Sequence, residues 1–223
     1  MSDKLIQSFK NDGFVNIGQI LDSSEITLLK KISLKLLNEN SKADFSYNQH
    51  VNNDYVRPTL DHKDWSILEN ILGISTELDI IMEKFFNNSL FKEVLEKTIG
   101  EDYKLWTCSV RLAKGNDNGL GFHSDSKGEI GVTILLEDQI DEKGTTSVLK
   151  GSHKWPITSQ ETMSESIPTK ILKPFSTAIT GKAGDTILFF KKILHGRISH
   201  KEQKPGIAII IALFSVGYSF TPF

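Results

Sequence analysis

The chain has 223 residues, of which 39% are hydrophobic and 24% are charged, with 26 Lys and Arg against 28 Asp and Glu. This composition predicts a folded domain with a sizeable core and excludes wholesale disorder. A net charge of -2 argues against nucleic acid or a membrane surface as a partner. The one cysteine, Cys108, excludes an internal disulfide and fits a reducing compartment. We expect one cytoplasmic domain over residues 1–223, monomeric or homodimeric.

The first hundred residues have mostly helical patterns, with one short strand and one long polar loop. The longest helix is predicted after Ser23 and Ser24, which can cap it, because apolar residues from Ile26 to Leu37 recur at helical spacing. Residues 39–64 are polar and predict a variable loop. The other predictions here are helices over Lys4–Asn11, Trp65–Gly73, Ser75–Asn87 and Ser89–Ile99, and a strand over Phe14–Ile17.

After Gly100 the pattern changes to short β-like runs separated by turn signals, which is typical of a sandwich or jelly roll. The predicted strands are Tyr103–Leu112, Gly131–Leu136, Thr145–Leu149, Lys170–Leu172, Thr177–Ile179, Thr186–Phe190 and Ile207–Val216. The predicted fold class is therefore mainly β with α. Its β core covers residues 101–223, and the helical part, residues 1–100, packs on that core.

Two histidines and one aspartate are the strongest candidate for a chemical site. His123 and Asp125 are two positions apart, so in an extended chain their side chains project to the same side and can converge on one ion. His195 follows the predicted strand Thr186–Phe190 and offers a third ligand. Two imidazoles and a carboxylate are the ligand set of non-haem iron(II) oxygenases, which keep other positions open. His200 is an alternative third ligand, and a lone histidine is more often an ordinary surface or core residue.

Several segments occur in an order that runs through nearly the whole chain, from residue 9 to about residue 217. They are Phe9–Ile17 with Leu21 and Ser24–Ile26; Phe122–Asp125; Leu135–Asp138, Glu142–Gly144 and Val148–Lys154; and Gly184–Phe189 with Leu194–Gly196. Each match is modest, but together they are specific. In this order they resemble the phytanoyl-CoA dioxygenase-like family of iron(II)/2-oxoglutarate oxygenases.

The resemblance implies a double-stranded β-helix, which is a jelly-roll variant, with Fe(II) at one mouth held by His123, Asp125 and His195. It also implies 2-oxoglutarate and O₂ as co-substrates, which form succinate and CO₂ while a C–H bond of a small molecule is oxidised. Halogenating relatives lack the carboxylate ligand, so the presence of Asp125 favours hydroxylation.

One position departs from the family pattern. The family has an arginine about eleven residues after the distal histidine, where it pairs with the far carboxylate of 2-oxoglutarate, but this chain has Gly206 there. A buried carboxylate without a partner is costly, so we expect another cation. Lys204 is the first candidate because it shares the strand parity of residue 206, although it also fits a solvated turn. Arg197 and Arg111 are the next candidates, and Thr133 is expected to bond the carboxylate.

The prediction of the substrate rests on residues of the polar loop over residues 39–64. Tyr47, Asn48, His50 and Arg57 favour a polar small molecule over a fatty acyl chain, although a solvated surface loop has the same composition. Two other functions stay open. One is a cupin-like metalloenzyme that does not use 2-oxoglutarate, for which the missing arginine is the support. The other is a jelly-roll binding protein without catalytic activity.

Overall fold

A computed structural model describes residues 2–40, 42–44, 59–114, 120–125, 129–140, 145–156, 169–197 and 206–215. The helices within them are α1 (Ser2–Asp12), α2 (Ser23–Glu39), α3 (Thr76–Phe86), α4 (Ser89–Ile99) and α5 (Thr169–Leu172), with 3₁₀ turns at Ser152–Lys154 and Lys173–Phe175. In this part of the chain no helix has both the length and the apolar character needed to cross a membrane.

The strands of the described residues form two sheets. They are β1 (Phe14–Gln19), β2 (Lys42–Asp44), β3 (Thr59–Asp61), β4 (Trp65–Leu68), β5 (Tyr103–Ala113), β6 (Leu120–His123), β7 (Glu129–Leu135), β8 (Thr146–Val148), β9 (Thr177–Ala178), β10 (Asp185–Phe190), β11 (His195–Arg197) and β12 (Gly206–Ser215). The major sheet has the order β1-β10-β7-β12-β5-β4-β3-β2, and the minor sheet has the order β6-β11-β8-β9. From β5 onward the chain passes back and forth between the two sheets, and this arrangement is the predicted jelly-roll core.

The major sheet has one face for the hydrophobic core and another for a cavity, because alternate residues of a strand point to opposite sides. The core face packs with buried side chains of α1 to α4 and includes Cys108, Val110, Ile130, Val132, Ile134, Leu188, Ile207, Ile209 and Ile211. The opposite face lines the cavity with Thr107, Ser109, Arg111, Gly131, Thr133, Phe189, Gly206, Ala208 and Ile210. Larger aliphatic side chains thus stabilise one face, while mainly small and polar residues leave space on the other.

An aromatic stack fixes the end of β10 against the N-terminal helix. The fully buried ring of Phe9 stacks on Phe190, with 4.5 Å between ring centroids. His153 also stacks on Phe190 at 4.9 Å, and its Nε2 lies 3.2 Å from the carbonyl oxygen of Lys10. The backbone N–H of Phe190 donates to the carbonyl oxygen of Gly13 at 2.9 Å. These contacts attach α1 and β1 to the strand that leads into the site described below.

The structure corrects three secondary-structure predictions. The predicted helix over Trp65–Gly73 begins instead as β4, which pairs antiparallel with β5. The predicted loop over residues 39–64 includes β2 and β3, which extend the same sheet edge. The predicted strand Lys170–Leu172 falls within the short helix α5. In the first two cases, hydrogen bonds to a neighbouring strand decide the secondary structure against the local propensity. The local sequence pattern does not predict such pairing.

We expect Phe9→Ala to lower the free energy of unfolding by about 3–5 kcal/mol, because the substitution empties a fully buried aromatic site. Urea denaturation measures the change. Phe175→Ala is the matched control, since the Phe175 side chain is 73% exposed and its loss should cost about 0.5 kcal/mol or less. Equal losses in the two variants would contradict the stacking role of Phe9.

Candidate metal centre

Sheet pairing brings His123, Asp125 and His195 together. His123 ends β6, His195 begins β11, and the two residues face each other in the antiparallel register. One ligand atom from each of the three residues lies within 4.8 Å of the other two. The Asp125 carboxylate lies between the imidazoles, with Oδ1 3.8 Å from Nε2 of His123 and Oδ2 3.8 Å from Nε2 of His195. The three predicted metal ligands are therefore one cluster.

Backbone carbonyl groups orient both imidazole rings. Nδ1 of His123 lies 2.8 Å from the carbonyl oxygen of Gly121, and Nδ1 of His195 lies 2.9 Å from that of Ile193. Each Nδ1–H donates to its carbonyl, which leaves Nε2 with a lone pair directed into the cluster. Burial lowers the pKa of His195, and this effect outweighs the opposing attraction of the Asp125 carboxylate. The imidazole is therefore kept in the neutral form that binds a metal.

The donor set fits a divalent transition metal. Two neutral imidazole nitrogens and one carboxylate oxygen are the donors that select non-haem iron(II), and such sites leave several coordination positions open. The cluster lines a cavity of about 1190 Å³ between the two sheets, so space for further ligands adjoins it. In this chain both Nε2 atoms are directed toward the Asp125 carboxylate. This orientation supports binding of such a metal by the three residues.

Gly196 allows the two histidine strands to approach closely. A Cβ atom at Gly196 would lie 2.7 Å from the carbonyl oxygen of Leu120 and 3.1 Å from the amide nitrogen of Phe122. The register between β6 and β11 also shifts next to this residue, because His195 is opposite His123 but Arg197 is opposite Leu120. A larger residue at position 196 would therefore push apart the backbone segments that carry the two imidazoles.

Phe189 forms the wall of the site next to His195. The centroid of its ring lies 5.5 Å from that of His195, and the rings of His195 and His123 are 4.4 Å apart. The Phe189 ring lies over Gly131, where a Cβ atom would come within 2.3 Å of the ring. Gly131 thus provides the space that Phe189 fills, and Phe189 keeps the imidazole from turning toward the major sheet.

The structure places part of the predicted co-substrate site in the same cavity. Thr133, Arg111 and Arg197 line it, and so does Gly206. Among the described residues, a Cβ atom at residue 206 would contact Nε2 of Gln139 at 3.6 Å and nothing nearer. Residues predicted for the site that lie outside the described part of the chain are Lys204, His200, Tyr47, Asn48, His50 and Arg57.

The two arginines occupy different parts of the cavity. Arg197 follows His195 by two residues on β11, so its side chain projects to the same face, about 7 Å further along the strand. The residue is 8% exposed. Arg111 lies on β5 with its guanidinium 5.6 Å from the centroid of the Trp65 ring. Arg111 is opposite Ala208 on β12, and Gly206 is opposite Ala113, two residues further along β5.

Lys191 is a site residue that the sequence analysis missed. Its Nζ lies 3.8 Å from Oδ2 of Asp125, and the side chain lines the cavity. The alternation of β10 offers a partial signal, since residues 189 and 191 share a face. The proximity of Lys191 to Asp125, however, depends on a backbone hydrogen bond, in which the Asp125 N–H donates to the Lys191 carbonyl oxygen. No local sequence pattern predicts this hydrogen bond.

The chain belongs to the phytanoyl-CoA dioxygenase (PhyH) family, whose family model matches residues 9–197. The resemblance noted from the sequence is thereby confirmed. The dioxygenase sphC of Aspergillus fumigatus is 22% identical to this chain over an alignment of 140 residues, which covers 54% of this chain and 36% of that protein. The match therefore spans little more than a third of the length of that curated relative.

Solved structures share the fold at low sequence identity. HygX from Streptomyces hygroscopicus, with nickel, 2-oxoglutarate and hygromycin B bound, has a TM-score of 0.72 at 11% identity and covers 98% of this chain and 89% of its own. SnoN, an epimerase from nogalamycin biosynthesis in complex with Fe³⁺, alpha ketoglutarate and nogalamycin RO, has a TM-score of 0.70 at 15% identity and covers 96% of this chain and 83% of its own. Their similarity to this chain is that of the fold.

We expect Gly196→Ala to weaken binding of a divalent metal at least tenfold, although residue 196 offers no side-chain ligand. The added methyl group clashes with the backbone of β6 and separates the two imidazoles. Titration of the apoprotein with Co²⁺, followed by its visible absorption, measures the affinity. Gly73→Ala is the control, because its methyl group would meet no atom of the described residues within 4 Å. Gly73 has a φ of 83°, so this control adds backbone strain without a clash, and a loss of affinity confined to Gly196→Ala reports the clash with β6. Unchanged Co²⁺ affinity in Gly196→Ala would show that the close strand approach is not needed.

Proposed function

We propose that this chain is an iron(II)- and 2-oxoglutarate-dependent oxygenase that oxidises a polar small molecule, most simply by hydroxylation. The observation that carries the proposal is the convergence of His123, Asp125 and His195 at a large cavity that arginine side chains also line. Membership of the PhyH family supports it. So does the fold shared with HygX, which was crystallised with nickel and 2-oxoglutarate.

The metal cluster has a defined part in this function. Nε2 of His123, a carboxylate oxygen of Asp125 and Nε2 of His195 would hold iron(II), and the carbonyl groups that accept from each Nδ1–H keep both rings in place. Bound iron(II) supplies the reaction of O₂ with 2-oxoglutarate and a substrate C–H bond, which yields succinate, CO₂ and a hydroxylated product. Phe189 shields the His195 side of the cluster from water.

Arg197 is the best candidate among the described residues for the far carboxylate of 2-oxoglutarate. It shares a strand and a face with His195, and its burial strengthens a charge-assisted bond. A guanidinium can also form two parallel bonds to a carboxylate, which a lysine cannot. Arg111 is the second candidate, because it lies on the cavity face of β5 and its guanidinium contacts the ring of Trp65. Lys204, the first choice from the sequence, stays a prediction.

The cavity supports a polar substrate. Its β5 wall carries Thr107 and Ser109, whose hydroxyl oxygens are 2.8 Å apart, and Thr133 lines the neighbouring part of the sheet. Side chains with hydroxyl groups can donate to and accept from a polar ligand. Apolar residues such as Phe189, Ala208 and Ile210 line the same cavity and can pack against the carbon skeleton of such a ligand.

One observation favours a second function. Gly206 provides no cation at the position where the family has its arginine, which suits a metalloenzyme of the same fold that does not use 2-oxoglutarate. The two functions differ in one measurable property, since only the first binds 2-oxoglutarate at the metal.

We expect the protein with iron(II) and 2-oxoglutarate, under anaerobic conditions, to show a weak visible charge-transfer band. His123→Ala should abolish the band, because the loss of one of three protein ligands leaves the metal poorly held. His62→Ala is the matched control, since His62 stacks on Trp65 outside the cluster. A band of full intensity in His123→Ala would overturn the ligand assignment. Its absence from the unmodified protein would favour the function without 2-oxoglutarate.

We expect Arg197→Gln to raise the 2-oxoglutarate concentration needed for half of the band by about tenfold to a hundredfold, since a charge-assisted hydrogen bond contributes about 1.5–3 kcal/mol. Arg111→Gln should have a smaller effect. Titration of each variant at saturating iron(II), with thermal melting to verify folding, makes the comparison. If Arg197→Gln titrates like the unmodified protein, the carboxylate binds Arg111 or Lys204 instead.

A further inference from the structure

Lys191 projects into the cavity beside the metal cluster. β10 ends at Phe190, and Lys191 follows it in a turn. Phe189 and Lys191 line the cavity, whereas Phe190 packs on the core face. The Asp125 N–H donates to the carbonyl oxygen of Lys191 at 2.7 Å, which fixes the two backbone segments to each other. Nζ of Lys191 lies 3.8 Å from Oδ2 of Asp125, the oxygen that also faces Nε2 of His195.

The contact between Lys191 and Asp125 is an ion pair at longer range than a hydrogen bond. Its 3.8 Å separation exceeds the 2.7–3.2 Å typical of N–H···O bonds. The two side chains are 21% and 27% exposed, so a small molecule in the cavity can reach both. Once Asp125 coordinates a divalent ion, its negative charge is directed to that ion, and the attraction between Asp125 and Lys191 weakens.

Among the described residues, the other acidic groups that line the cavity are Glu69, Glu137 and Asp138. Glu137 and Asp138 follow the far end of β7, where Glu137 pairs with Lys30 at 2.6 Å and Asp138 accepts a hydrogen bond from the Ala183 N–H at 2.8 Å. Glu69 follows β4 at the side of the cavity. A divalent ion at the cluster together with the ammonium group of Lys191 carries more positive charge than the carboxylate of Asp125 alone balances. The carboxylate by which 2-oxoglutarate binds a metal removes only part of this positive excess.

From this arrangement we propose that Lys191 binds an anionic group of the substrate. The substrate class is then a small molecule that carries a carboxylate or phosphate group near the carbon that is oxidised. The proposal rests on the proposed function for the identity of the reaction, but the anion site itself requires only the metal cluster and Lys191. An ammonium group with three donors suits either oxyanion.

The test uses the Co²⁺-loaded protein saturated with 2-oxoglutarate, into which inorganic phosphate or acetate is titrated while the visible Co²⁺ spectrum is followed. Lys191→Gln should raise the Kd of the anion at least tenfold, and Lys191→Arg should largely restore it. Lys192→Gln is the matched control, because it removes the same charge from the adjacent residue, which does not line the cavity, and it should leave the Kd unchanged. Co²⁺ affinity, measured separately for each variant, reports whether the metal ligands have moved.

Three results would overturn the anion site. The first is an unchanged anion Kd in Lys191→Gln. The second is an equal loss in Lys192→Gln, which would indicate general surface charge. The third is a loss of Co²⁺ affinity with no change in the anion Kd, which would limit Lys191 to positioning Asp125. If 2-oxoglutarate fails to bind the unmodified protein, the same titrations with Co²⁺ alone still test Lys191, so failure of the proposed function is distinguishable from failure of this inference.

Discussion

The antiparallel pairing of β6 with β11 is the interaction on which the site depends. It places His123 opposite His195, although the two residues are far apart in the chain. The ladder hydrogen bonds fix the strands, and the carbonyl groups of Gly121 and Ile193 then fix the rings. Gly196 permits this pairing because its missing side chain leaves room for the β6 backbone. A metal site built in this way is preorganised by backbone geometry rather than by the metal alone.

The two faces of the major sheet explain how one small domain provides both stability and a cavity. Residues of the same strand alternate between the layer packed on α1 to α4 and the space between the sheets. β10 illustrates this at the site itself. Phe190 stacks between Phe9 and His153 on the core side, while Phe189 and Lys191 face the metal cluster. The packing of the N-terminal helix therefore supports the position of residues that take part in the chemistry.

Charge placement distinguishes this chain within its family. The arginine expected near the start of β12 is absent, and Gly206 leaves space there, whereas Arg197 lies two residues after a metal ligand on β11. In the proposed function, one short strand thus holds both a metal ligand and the partner of the co-substrate. Lys191 adds a positive charge on the other side of Asp125.

Much of the site was predictable from local sequence. The spacing of His123 and Asp125 indicates two candidate ligands, because strand alternation is a local property. The choice of His195 over His200 came from the resemblance of Leu194–Gly196 to the family. The family resemblance then supplied the fold, which the two antiparallel sheets confirm. The position of Arg111 on a cavity-facing strand also follows from its parity within β5.

Tertiary structure alone decided the rest. Trp65 lies in a strand rather than a helix because it pairs with β5, and this pairing brings its ring to the guanidinium of Arg111. Lys191 approaches Asp125 because a backbone hydrogen bond joins two segments that are remote in the chain. Local sequence fixes which way a side chain points from its strand, whereas the partner it meets is set by how distant strands pair, and that pairing is stabilised by contacts spread over the whole domain.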